Sequence, residues 1–188
     1  ADLTELTGWS QWDVEEHLHA VSGRTFTSRD GHWRPYIQMY VLGHEELQQD
    51  ATRAFGNQRL ATYRQRLHTW AEGYHDRHWP PGTPEYLLRG YHRLLNTLGD
   101  LPWLLDLTLD PARQNRMLNL TGGDHAALTE ITGLQDTLLT LPDPDLDAMA
   151  RLAVHRDALQ QRNTNIPTDL PAVWAHLGQP ARADALAA

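Results

Sequence analysis

Between Leu60 and Tyr74 the apolar residues Leu60, Tyr63, Leu67, Trp70, Ala71 and Tyr74 recur at steps of three and four. That spacing places them on one face of a helix. Pro80-Pro81-Gly82 stops it. Thr83 followed by Pro84 is a start signal, a hydroxyl N-cap with proline at the first helical position. Tyr86, Leu87, Leu88, Tyr91, Leu94, Leu95 and Leu98 then form a second apolar face, and Gly99 is suited to a left-handed cap. The pattern predicts a helical hairpin over 63–100 that needs neighbours on both sides.

The flanking pattern changes period once. Leu3 and Leu6 suggest a short helix closed at Gly8, and Ser10 caps a second with Asp13 at its N3 position. Val14, Leu18 and Val21 make its inner stripe, and Gly23 ends it. Arg24 to Arg29 is β-prone, Asp30-Gly31 is a turn signal, and Tyr36 to Leu42 is the returning strand. Helix, helix, hairpin is the order of a winged helix from its second helix onward.

From Gly43 the pattern is helical to the end. One helix carries Leu47, Ala51, Ala54 and Phe55 and ends near Gly56-Asn57. After the central hairpin, Asp100 with Pro102 starts a helix with Trp103, Leu104 and Leu107, and Asp110-Pro111 starts another that Gly122-Gly123 breaks. Ala126–Leu141 follows. Asp143-Pro144 caps a helix with Leu146, Met149, Leu152, Ala153 and Leu159 inward. Thr168 caps one with Leu170, Val173, Trp174 and Leu177, and Pro180 begins a last. Trp174-x-x-Leu177-Gly178 matches the opening of a tetratricopeptide repeat, but Ala181 stands where that pattern wants tyrosine. The expected architecture is mainly α: a partial winged helix with one β-hairpin, then an irregular, TPR-like stack of antiparallel helical hairpins. The expected divisions are 1–56, 57–141 and 142–188, with Leu141–Asp145 as the soft boundary.

Composition narrows the chemistry. The net charge of −8 argues against nucleic acid or an anionic membrane as main partner. All sixteen basic residues are arginine, and there is no cysteine for disulfide or thiol chemistry. No apolar run approaches the roughly 20 residues of a membrane span, and a cytoplasmic location is the expectation. The abrupt start at Ala1 is expected of a piece of a longer chain.

Eleven histidines raise the question of a metal. His68, His75 and His78 share one segment, but a metal needs three or four converging ligands. His17 and His19 fall on different helix faces, and His44-Glu45 lacks the second histidine of H-E-x-x-H. Scattered surface histidines are the simpler reading. Glu15-Glu16, Glu45-Glu46 and Asp143 to Asp147 sit at helix starts or polar faces, where dipole and solvent explain them. No catalytic, cofactor or metal residue is therefore assigned, and the chain reads as a non-enzyme. Ser10 to Ser22 carries Asp13, Glu15 and Glu16 and no arginine, so it would repel a DNA backbone.

Seven tryptophans are the stronger interaction signal. Trp70, Trp103 and Trp174 fall on apolar stripes. Trp9 and Trp12 precede or start a helix, Trp33 lies at the hairpin tip, and Trp79 at the proline corner. These four are the candidate anchors for a protein partner, with core or corner packing the plainer alternative.

The order of elements resembles the region after the nucleotide-binding core of signal-transducing ATPases of the STAND class (NACHT and NB-ARC relatives). The carrying segments are Tyr40–Gln48 (YVLGHEELQ), Tyr86–Tyr91 (YLLRGY) and Leu98-Gly99-Asp100. The resemblance implies a winged helix, a helical arm and first sensor repeats that hold an upstream ATPase domain off or on. It implies a coupling hinge at Gly43, His44 and Leu47. The family's P-loop needs a lysine, and this chain has none. Two other readings stand beside it: a free-standing helical-repeat adaptor that binds a peptide, and a His-rich metal-dependent hydrolase. Incomplete cover over Leu3, Leu6, Trp9 and Trp12 also predicts a homodimer through the N-terminal region.

Overall fold

Helix breakers and caps set the element order. The computed structural model describes residues 2–21, 25–34, 36–42, 45–163 and 167–186. Over them run α1 (Asp2–Thr7), α2 (Gln11–Val21), β1 (Phe26–Asp30), β2 (Gln38–Leu42) and α3 (Glu45–His75). A π-helical turn (Tyr86–Gly90) then leads into α4 (Tyr91–Leu98), α5 (Leu101–Thr108), α6 (Pro111–Thr121) and α7 (His125–Leu139). The chain finishes with α8 (Leu146–Asn163), α9 (Leu170–His176) and α10 (Pro180–Leu186). Over the described residues the fold is mainly α with one antiparallel hairpin and a helical stack, as the pattern predicts. Among the described residues no helix is long and apolar enough to cross a membrane.

The chain divides into two units, Ala1–Arg77 and His78–Ala188. In the first, α1 ends at Gly8, which takes a left-handed φ of 74° while its N–H donates to the Thr4 carbonyl. Ser10 caps α2 as expected: its hydroxyl accepts from the Asp13 N–H at 3.2 Å and donates to the Asp13 carboxylate at 2.7 Å. The hairpin pairs Phe26 with Leu42 through to Asp30 with Gln38. α3 breaks where the sequence breaks it, at Gly56, with φ 68° and ψ 164°. Little of this unit is buried. Among its described hydrophobic residues only Ala71 and Tyr74 are, whereas Tyr36, Tyr40, Val41, Leu42 and Phe55 are exposed.

The second unit holds the core. Leu87, Leu88, Tyr91, Leu95, Leu104, Met117, Ile131, Leu134 and Leu152 are all nearly inaccessible to water. α4 closes as predicted, with Gly99 at φ 69° and the Asp100 N–H reaching back to the Leu95 carbonyl. Asp110 caps α6, accepting from the Ala112 and Arg113 N–H groups at 2.8 and 3.2 Å.

Several local expectations give way. Thr83 does not cap a helix; its hydroxyl donates to the Pro80 carbonyl at 2.7 Å, tightening the proline corner, and the helical turn starts two residues later at Glu85. α8 is capped by Asp145 rather than Asp143, with the Ala148 N–H on its carboxylate at 2.9 Å. Leu146 is therefore 74% exposed instead of inward. α9 follows Asp169, not Thr168, and leaves Val173 and Leu177 exposed. Hydrogen bonds from Arg156 to Gln135 and from Arg162 to Asp124 tie α8 to the preceding helices. The two compact units meet at 77/78.

Candidate functional site

Two features stand out: an exposed aromatic surface in the first unit and a polar seam inside the second. The sequence points to the first and is silent on the second.

Trp9 is 48% and Trp12 68% exposed. Trp9 leans on the His17 ring at 4.8 Å, and His17 Nδ1 is 2.8 Å from the Asp13 carbonyl oxygen, so α2 steadies the indole from below. Trp33 is half-buried. Trp79 is not an anchor: it is 1% exposed, and its indole N–H donates to the Asp110 carboxylate while Arg116 Nε donates to its carbonyl at 2.8 Å. The plainer reading of that corner is the correct one. Leu47 is half-buried. The other hinge candidates, Gly43 and His44, lie outside the described residues. Burial this partial lowers the expected cost of Leu47→Ala to about 1 kcal/mol, well short of a full core truncation. A loss above about 2 kcal/mol in urea unfolding would contradict this placement.

The seam begins at Arg113, whose side chain is wholly buried in α6. It grips Glu130 of α7 with two bonds, Nη1 at 2.7 Å and Nη2 at 2.9 Å, and Nη2 also donates to the Leu88 carbonyl of the π turn. Beside it His92 Nε2 lies 3.2 Å from Thr108 Oγ1, and His92 Nδ1 lies 3.9 Å from Glu130. Gln114 donates to the Thr108 carbonyl at 2.7 Å, and His155 Nε2 reaches the Gln114 side-chain oxygen at 2.6 Å. A separate pair joins buried Asp124 to Arg162, whose Nε donates at 2.6 Å.

Threonine, histidine and glutamate in this order resemble a nucleophilic triad, but the bonding is not that of one. The Thr108 hydroxyl gives its proton to the Leu104 carbonyl at 2.6 Å, so it accepts from His92 Nε2–H rather than donating to it. Glu130 is held by Arg113, and 3.9 Å is too long for a hydrogen bond to His92. The threonine is also 1% exposed, out of reach of a substrate. The seam is structural. Histidine-rich Tyr63 to His78 holds no such cluster: His75 turns to the neighbouring Asp76 at 3.5 Å. Among the described residues no three His, Asp or Glu groups could hold a metal.

Both seam histidines titrate below the ordinary range. Burial depresses His92 first, with Arg113 and Arg93 adding and Glu130 opposing; burial and then Arg162 depress His155. The unfolded chain, titrating near about 6.5, therefore binds more protons than the native one between the two values. Stability from these sites is complete above that pH and falls as pH drops through the native values. Tyr74 gives the opposite limb. Burial, then its 2.7 Å hydrogen bond to Glu5, pushes the phenol up to about 12. Its contribution is full below about pH 10, the unfolded phenol's value, and is lost as pH rises through the native one. Urea midpoints should thus form a plateau from pH 7 to 9.5 and decline on both sides. A midpoint unchanged down to pH 5 would contradict the acid limb.

No family model, no curated protein and no solved structure matches this chain.

Proposed function

We propose that the chain is a non-catalytic regulatory arm of a STAND-type signalling ATPase, acting through protein contacts in the cytoplasm. The observation that supports this most is the contrast between the units. Helix, helix and hairpin leave Trp9, Trp12, Tyr36 and Tyr40 exposed, whereas the helices after the proline corner bury a full core of their own. A segment of the first kind works by docking on something; a segment of the second kind holds its shape. The resemblance supplies the upstream ATPase domain as the surface to dock on.

The test is a longer chain carrying a P-loop domain ahead of these residues. Deleting residues 2–186 should raise its basal ATP hydrolysis, and an unchanged rate rejects the arm reading. A free-standing adaptor has no such domain to release. The isolated chain is expected to bind no ATP by calorimetry at micromolar concentration.

Without that domain, the exposed tryptophans should bring two copies together. Sedimentation should show a concentration-dependent dimer, reduced to monomer by Trp9→Ser with Trp12→Ser. Because both side chains are exposed, the double variant should keep its urea midpoint within about 0.5 kcal/mol of stability. A parent that stays monomeric at all concentrations removes these residues as anchors.

A further inference from the structure

Phe55, Arg59, Tyr63, Arg66 and Trp70 follow one another at steps of four, four, three and four. That spacing lines Arg59, Tyr63, Arg66 and Trp70 along one face of α3 beyond the Gly56 break. Phe55, before the break, joins them through its ring, which meets that of Tyr63 edge to face at 5.9 Å. Arg59 lies over the Phe55 ring at 5.7 Å. Phe55 and Tyr63 are 43% and 39% exposed, far more than large aromatics on a helix packed into its own core.

Charge sets this face apart. From Ala51 to Ala71 there is no aspartate or glutamate, yet there are four arginines, in a chain whose net charge is −8. Arg53 is spoken for by Asp50 at 3.1 Å. Among the described residues Arg59, Arg64 and Arg66 have no carboxylate partner. A helix stabilised for itself would interleave acids at i, i+4, and this one does not. At its C-terminal end the face runs into an open depression of about 450 Å³ lined by Leu6, Thr7, Gln65, Arg66 and Trp70, and by Glu5, whose carboxylate accepts the Tyr74 hydroxyl at 2.7 Å.

We propose that this face binds an acidic peptide segment of a partner protein, its carboxylates on Arg59 and Arg66 and one large apolar side chain in the Leu6–Trp70 depression. Carboxylates match unpaired guanidinium groups, and the aromatic rings between them cover the peptide's methylene surface. An apolar side chain set against Leu6 and Trp70 fixes where the carboxylates fall, which gives the contact its register. A nucleic acid is the less fitting occupant: the rest of the chain carries the opposite sign and would repel a long polyanion. The proposal rests on the reading of the chain as a protein-contact arm. It fails separately from that reading, because peptide binding is read on the chain by itself, whereas the arm reading is read as ATP hydrolysis by a longer chain.

The test uses a fluorescein-labelled oligoglutamate peptide with one central leucine, the same peptide with glycine in its place, and oligothymidylate. The leucine peptide should bind with an affinity that weakens about tenfold or more when salt shortens the range of the charges. The glycine peptide should bind more weakly. Arg59→Glu with Arg66→Glu should lose at least about tenfold in affinity, a ΔG change of about 1.4 kcal/mol. Arg64→Glu alters charge in the same helix, but five residues from Arg59 it is turned away from the face, and should change affinity less. Arg59→Ala with Arg66→Ala repeats the test should the glutamates disturb α3. No binding of the leucine peptide at low salt overturns the proposal, as does an equal loss with Arg64→Glu. Tighter binding of oligothymidylate overturns it in favour of a nucleic acid.

Discussion

Arg113→Ala is expected to destabilise the second unit by about 3–5 kcal/mol, the cost of stranding one member of a buried ion pair. The guanidinium fills a fully buried position and ties three elements together: α7 through Glu130, the π turn through Leu88, and its own α6. Truncation leaves the Glu130 carboxylate, whose side chain is 14% exposed, facing a void. Arg113 itself is not fully satisfied, since its buried Nε makes no hydrogen bond. Replacing both partners by apolar groups, Arg113→Met with Glu130→Leu, should therefore recover most of the loss, because a well-packed apolar pair can match a buried ion pair. Urea unfolding followed by far-ultraviolet circular dichroism measures both. If the single variant loses less than about 1 kcal/mol, the value of an exposed pair, the seam is not the fastening described here.

Trp79→Ala carries the second large effect, again about 3–5 kcal/mol. The indole is the largest of the fully buried side chains, and it pins the proline corner to α6 and its cap through Asp110 and Arg116. Its backbone and that of His78 are left-handed, at φ 50° and 55°, a conformation that costs a non-glycine residue energy. The ring and its bond to Asp110 outweigh that cost. Trp79→Phe separates the two contributions. It keeps most of the ring and removes the donor to a charged acceptor, for an expected loss of about 1.5–3 kcal/mol. Equal losses for Phe and Ala would mean that the hydrogen bond, not the packing, holds the corner.

Much of this fold is written in local signals. Gly8, Ser10, Gly56, Gly99, Asp110 and Gly122 each mark a helix end where the structure has one, because caps and left-handed glycines act within a single turn. The hairpin is legible from its β-branched and aromatic run. Where two caps compete within three residues, as at Asp143 and Asp145 or Thr168 and Asp169, the sequence offers no ranking, and the later residue wins. The seam was legible at one residue only. Arg113 and Glu130 are seventeen residues apart on different helices, and in sequence each is an ordinary charged residue. One signal did exist: Arg113 falls between Leu109 and Met117 on the spacing of α6's inner face, where an arginine needs a buried partner. Trp79 misled because a proline corner is usually a surface feature, whereas here the chain folds its own stack over it.

The Tyr74 hydroxyl meets Glu5 across 69 residues of chain. Closing a loop of that length costs roughly 3–4 kcal/mol in chain entropy, whereas one such hydrogen bond returns about 1 kcal/mol. The six-residue α1, in which no residue is buried, therefore cannot nucleate and must dock last. In hydrogen exchange its amides should open in a separate, low-energy step long before the helices around Arg113 release theirs. That segment can therefore detach and dock again while the rest of the chain stays folded.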